Sequence, residues 1–219
     1  YLYPEANIQN IGFERTNYPD GYFDVAIGNV PFGDYRVNDS VYNSHGFLIH
    51  DYFFAKTLDK LRAGGVAAYI TTKGTMDKES TKVREFLFKK AELLGAIRLP
   101  NTAFKNAGTK VTADILFLQK REKEIENPEW IAVTEDAQGF RINSYFVQHP
   151  EMILGTMQEI SGPYGMETTC VEKEGVPLGE RLRAAISHIT GHIPERVEEE
   201  RAEFRYTGRK KGRYHSVPD

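Results

Sequence analysis

From Tyr22 to Ile27 the chain is apolar on both faces of an extended segment, the pattern of a central parallel strand, and Gly28 and Asn29 end it. A polar, turn-rich stretch runs from Gly33 to Gly46. Phe47, Ile49 or His50, Phe53, Phe54, Thr57, Leu58 and Leu61 then recur at helical spacing, which predicts an amphipathic helix over Phe47 to Leu61 closed by the glycines of RAGG. VAAYITT reads as a second core strand, Val83 to Leu94 as a second helix and GAIRLP as a short third strand. Ile8 to Phe13 is a further short strand candidate ahead of them. Strand, helix, strand, helix, strand predicts an α/β fold with a doubly wound, mostly parallel sheet, whose ligands sit beyond the carboxyl ends of the strands. KVTADILFLQKRE is extended and apolar with no helix before it, and is expected as an antiparallel edge strand.

The α/β core is expected over residues 1–121. Beyond it the pattern weakens: NPEWIAV and FRINSYF are short strand-like pieces, GPYG to KEGVP reads as loop, and Leu178 to Ile189 as a helix. Residues 122–194 are therefore expected to form a small α+β extension, and 195–219, a charge run with little to bury, a solvated linker or tail. YLYPEANI reads as the end of a helix entering a strand, so the chain is expected to be a piece of something longer.

Composition narrows the classes. With 40% hydrophobic and 27% charged residues the chain is of ordinary globular make-up, and no apolar run approaches the ~20 residues that span a bilayer. Cys170 is the single cysteine, which excludes an intrachain disulfide or a thiolate metal cluster and suits a reducing, cytoplasmic setting. A net charge of −3 excludes a chain that coats nucleic acid along its whole surface but permits a local basic patch.

The chemistry is concentrated where the first strand breaks, at Asn29-Val30-Pro31-Phe32. An exocyclic amine on a nucleobase is a poor nucleophile because its lone pair is delocalised into the ring. Two oxygen acceptors aimed at its N–H bonds favour the pyramidal, lone-pair-bearing nitrogen, and the Asn29 side chain beside the Val30 carbonyl, held by Pro31, can supply both. Phe32 then offers a flat face for an extruded base, a contact of about 1–3 kcal/mol.

This stretch resembles the Asn-Pro-Pro-Tyr/Phe motif of amino methyltransferases, above all N6-adenine DNA methyltransferases, with Val30 at the first proline. FDVAIGNVPFG, LDKLRAGGVAAYITTKGTMD, ELLGAIRLP and AFKNAGTKVTADILFLQK follow in that family's order over about Ile8 to Arg121. The chain looks most like the methylase portion of large mobile-element and phage proteins in which a methylase precedes a helicase-like region. The resemblance implies a partial, Rossmann-like methyltransferase fold, S-adenosylmethionine as methyl donor and DNA as substrate. It implies Asn29, Val30, Pro31 and Phe32 as catalytic, Phe104 as a second stacking face, and Lys105 and Lys110 as phosphate contacts. For the donor's adenine it suggests Glu14 as the nearest acid and Phe13 as a packing face. The glycine-rich turn that holds the donor lies upstream in this family's order and is not found before Tyr22, so the chain is expected to carry half a donor site and to be inactive alone.

Other readings compete. Asn-x-Pro-Phe can be a simple strand-closing turn, Phe104 a core residue and Glu14 a solvated carboxylate. His45, His50 and Asp51 lack the i, i+4 spacing of a metal pair, GGVAAY precedes its strand as a helix stop does, and RYTGRKKGRYH reads as a connector. A protein-glutamine methyltransferase, or a non-catalytic DNA-binding or scaffolding remnant, are the alternative functions.

Overall fold

The computed structural model of the chain describes residues 5–162 and 165–195. Its main sheet forms from four segments: β1 (Phe23–Asn29), β2 (Leu61–Thr72), β3 (Ala91–Leu99) and β4 (Ala113–Lys120). Helix α1 (Ile49–Lys60) joins β1 to β2, and α2 (Gly74–Asp77) and α3 (Lys82–Lys90) join β2 to β3. The strand order is β1-β2-β4-β3, with β1 and β2 parallel and β4 antiparallel to both of its neighbours. The fold is thus α/β with a mixed sheet.

The antiparallel strand does not sit at the edge. β4 is laddered on both sides, Leu116 pairing with Tyr69 and with Ala96, and Ala113, Asp114, Leu116 and Leu118 are fully buried. A segment apolar on both faces is an interior strand; the lack of a preceding helix fixes its direction, not its place. Ile8 to Phe13 is not a strand either: it is irregular, leads into a 3-10 turn at Phe13–Arg15, and leaves Ile8 80% and Ile11 49% exposed.

RAGG does not stop the helix. α1 ends at Lys60 because Leu61 already pairs with Phe23, and the register then jumps to Val25 opposite Val66. The extra residues bulge from β2, with Gly64 at φ 76°, which a side chain would strain. The second helix likewise ends at Lys90, since Leu93 is taken into the ladder opposite Leu118.

After β4 come β5 (Val133–Glu135), β6 (Arg141–Asn143), α4 (Ser144–Gln148), β7 (Gly155–Gly162), β8 (Gly165–Glu172) and α5 (Leu178–Ile186). FRINSYF is split into strand and helix by Asn143, whose side chain caps α4 by accepting from the Tyr145 N–H at 2.9 Å. GPYG to KEGVP is not simply loop, because Gly165–Glu172 pairs antiparallel with Gly155–Gly162. Ile142, Phe146, Met152, Leu154, Cys170 and Ala185 join the same apolar cluster as β2, β3 and β4. The charge run from residue 196 lies outside the described residues.

Paired strand residues share a face. On one face Tyr69 bonds Thr57 of α1, and α1 and α3 pack side by side. On the other, Gly95 lies against Ile189 and Tyr145, whereas Val25 and Ile27 of the outer strand β1 are 42% and 79% exposed.

Candidate active site

β1 ends on Asn29, opposite Ile70 of β2, and the Val30 N–H extends the ladder by donating to the Ile70 carbonyl at 3.1 Å. Val30 is buried at 3% exposure, so its apolar side chain anchors the turn from below. The Asn29 side chain is exposed and makes no hydrogen bond to a described residue, and none donates to the Val30 carbonyl. Pro31 and Phe32 follow at the surface, and Phe32 belongs to neither apolar cluster. Two oxygen acceptors, one on an exposed side chain and one on the backbone of a buried residue, are therefore held on one turn with no partner among the described residues.

Beside them runs a cleft of about 440 Å³ along the open edge of β1, touched by Ile27, Gly28, Asn29 and Val30 from the strand and by Phe13, Tyr18, Phe53 and Tyr69 as aromatic walls. Asn7, Gln9 and Thr16 add polar groups to its rim. Phe13 is fixed there by Phe53 (ring centroids 4.9 Å apart), the edge of Tyr52 (6.1 Å) and the Lys56 ammonium 5.2 Å from its centroid. The structure thus brings Phe13 to the Asn29 turn. Glu14 does not line the cleft; its carboxylate folds over Gly12 and lies 3.4 Å from Arg15 Nε. The sequence reading passed over Tyr69, Phe53 and Tyr18. Tyr69 was within reach, since it alternates with Ala67 and Thr71 in VAAYITT on the face that α1 covers.

Phe104, Lys105 and Lys110 lie in the β3–β4 connection. Because β1 and β3 run in the same direction, this connection leaves the sheet at the same end as Asn29. Lys105 and Lys110 are exposed, while Phe104 is half-buried against the main core. No described contact joins this connection to the Asn29 turn.

The Gly33–Gly46 loop is staked to α1 by Asp39, which accepts from Tyr52 Oη at 2.9 Å, Lys56 Nζ at 3.1 Å and its own loop's Val41 N–H at 3.1 Å. Burial opposes charge on Asp39, but these three donors outweigh it and hold the carboxyl below its ordinary value. At the start of α1, His50 and Asp51 are 3% and 2% exposed, and Lys78 Nζ reaches 3.3 Å from His50 Nε2. Burial pushes the His50 pKa down.

Deeper in, Arg98 of β3 grips Asp114 of β4 with two 2.9 Å bonds and lies 2.8 Å from Asp77 after β2. Burial works against its charge, yet the two carboxylates prevail and raise its pKa. This ties the ends of three strands together beneath the site. Burial pushes the Cys170 thiol up to about 12, so it is no nucleophile. No group of His, Cys, Asp and Glu among the described residues is arranged to hold a metal, and no helix there is long and apolar enough to cross a membrane.

A family model described as N-6 DNA Methylase matches residues 7–157. The Defense against restriction protein B of Escherichia phage P1 is 34% identical over 130 residues, covering 57% of this chain and 6% of the phage protein. Among solved structures, a class I S-adenosylmethionine-dependent methyltransferase from Listeria monocytogenes is similar at 23% identity and a TM-score of 0.40, over 53% of this chain and 38% of that one. A modification subunit of a type I restriction enzyme from Vibrio vulnificus YJ016 is similar at 24% identity and a TM-score of 0.39, over 46% of this chain and 23% of that one. The chain spans well under two thirds of the length of each.

Proposed function

Because this chain belongs to the N-6 DNA methylase family, we propose that it carries the amine-activating part of a site that transfers a methyl group from S-adenosylmethionine to N6 of adenine in DNA. The observation that supports this is the adjacent acceptor pair of the exposed Asn29 side chain and the Val30 carbonyl, neither of them bonded to a described residue. These oxygens accept the two N–H bonds of the flipped adenine and keep the nitrogen lone pair aimed out of the ring. Phe32, one-third exposed, stacks under the base. A glutamine amide needs no such ring, which favours a nucleobase over a protein side chain.

S-Adenosylmethionine, when bound, supplies an electrophilic methyl on a positively charged sulfur. The cleft fits part of this donor. Phe13, Tyr18, Phe53 and Ile27 form an apolar wall suited to its adenine, but among the described residues no carboxylate lines the cleft to accept from the ribose hydroxyls. β1 is the outer strand of the described sheet, and we assign its open edge to a further strand carrying the remaining donor contacts. This chain by itself is accordingly expected to bind S-adenosylmethionine weakly.

Asn29→Ala in the full natural polypeptide provides the test. Methyl incorporation into adenine is expected to fall by about 10²–10³-fold while donor binding, read by calorimetry, is unchanged. An equal loss of both would make Asn29 a structural residue and sink the reading.

A further inference from the structure

The Gly33–Gly46 loop contains a second hollow, of about 260 Å³, separate from the cleft beside Asn29. Its floor is aromatic: Tyr42, Phe47 and Tyr52 are each less than 9% exposed. Its rim is polar, from Arg36, Asn38 and Asn43, and among the described residues no carboxylate lines it.

The hydrogen bonds of this loop engage its asparagine side-chain acceptors and leave side-chain donors. Asn38 Oδ1 accepts from Asn43 Nδ2 at 2.8 Å, and Asn43 Oδ1 accepts from the Asp39 N–H at 3.0 Å. The two floor hydroxyls are spent on carboxylates outside the hollow, Tyr42 Oη donating to Asp59 at 2.7 Å and Tyr52 Oη to Asp39 at 2.9 Å. Asp39 and Asp59 are themselves neutralised by Lys56 and Lys90. Arg36 rests its guanidinium against Gly46, 3.7 Å from where a Cβ would stand, and makes no hydrogen bond or ion pair with a described residue. What remains is a hollow offering the five N–H donors of an arginine and the amide N–H groups of Asn38, with one positive charge, while its two asparagine side-chain oxygens are already engaged. Its complement is a group made only of acceptors and carrying negative charge.

We propose that this hollow binds a phosphodiester of the DNA backbone beside the target base, with Arg36 as the charged contact. The inference rests on the DNA-methylation reading above. It adds to that reading a contact that fixes the register of the duplex and reads no sequence. Arg36 stands four residues beyond Phe32, so a phosphate held there belongs to a nucleotide near the one that Phe32 supports.

Binding of the full natural polypeptide to a fluorescent DNA duplex, titrated over a range of salt, tests this. Arg36→Gln is expected to lower the slope of log affinity against log salt by about 0.9, the value of one phosphate contact, equally on duplexes with and without the target adenine. Arg36→Lys is expected to keep the wild-type slope. An unchanged slope in Arg36→Gln overturns the proposal, as does a loss confined to duplexes that contain the target, which would place Arg36 on a base. If an acidic peptide is bound through Arg36 and DNA is not, the hollow belongs to a protein partner and the proposal fails. Wild-type protein that methylates DNA normally while Arg36→Gln binds it unaltered overturns this inference alone; wild-type protein that neither binds nor methylates DNA overturns the methylation reading with it.

Discussion

Gly28 lies flat against Tyr69: a Cβ on Gly28 would stand 3.3 Å from Cε1 of that ring. The ring has little room to retreat, because its hydroxyl is 2.7 Å from Thr57 Oγ1 and the edge of Phe54 packs 5.4 Å away, centroid to centroid. The backbone that delivers Asn29 is therefore set by an aromatic on the neighbouring strand and, through it, by α1. Gly28→Ala is expected to destabilise the fold by about 1–3 kcal/mol through overpacking. Combining it with Tyr69→Leu should cost clearly less than the sum of the two single changes, since Leu vacates the contested space. Additive costs in urea denaturation would show that the two residues do not press on one another.

The Arg98–Asp114 pair makes a different expectation. Both side chains are at 0% exposure, and the guanidinium is shared with Asp77. Asp114→Asn keeps the shape but replaces the carboxylate that takes two of the guanidinium's hydrogen bonds and leaves Asp77 as its one buried counter-charge, so it should cost about 1–3 kcal/mol in chemical denaturation. A loss below 1 kcal/mol would mean that water reaches the guanidinium and the pair is not what joins β3, β4 and the end of β2.

Much of this was legible in the chain. Tyr22 to Ile27, the helix through Phe53 and Leu58, and the break at Asn29 each carry a local signal, either a strand apolar on both faces or a 3.6-residue repeat, and each stands in the structure within a few residues of its expected place. What was not legible depends on partners distant in sequence. Ile8 and Ile11 look like strand residues, but no described strand pairs with that segment. Leu61 and Leu93 look helical, but pairing with Phe23 and Leu118 draws them into strands. The interior place of β4 follows from a ladder on each side, which no local pattern encodes. At the site, the break at Asn29 was legible because the apolar run of the first strand stops there, four residues ahead of a polar, turn-rich stretch. Tyr69 could be placed by its alternation on the face that α1 covers, but not against Gly28, because that contact spans about forty residues and two strands.

His50 gives the fold a pH dependence whose sign can be worked out. Its ordinary pKa of 6.5 is lowered in the fold, first by burial and then by the Lys78 ammonium, against the opposing pull of Asp51 and Asp34. Between the lowered value and 6.5 the unfolded chain holds a proton that the folded chain does not. Stability is therefore complete above about pH 6.5 and is lost as pH falls below it, levelling off once the folded imidazole also protonates. His50→Gln cannot titrate and should lack this component, so the difference in urea midpoint between wild type and variant should narrow from pH 7.5 to 5.5. A difference that stays constant over that range would show that the fold does not shift His50, and one that widens would show that the fold favours its protonated form.

Phe32 separates stacking from packing. It is 36% exposed and lies outside both apolar clusters, so the fold leaves room for a larger ring and gains little from this one. Phe32→Trp and Phe32→Leu should both change thermal stability little, unlike substitutions at a buried phenylalanine such as Phe54, where overpacking or cavity formation costs several kcal/mol. Activity should divide them. A tryptophan keeps a π face for the flipped adenine, whereas leucine has comparable apolar surface without one and should weaken productive base binding by about 1–3 kcal/mol, seen as a five- to hundred-fold fall in methyl incorporation by the full natural polypeptide. The loss should vanish on DNA already abasic at the target, measured as binding, because no ring remains to be stacked. If leucine retains full activity, or is as damaging on abasic DNA as on adenine, Phe32 does not support a base and the role given to this ring is wrong.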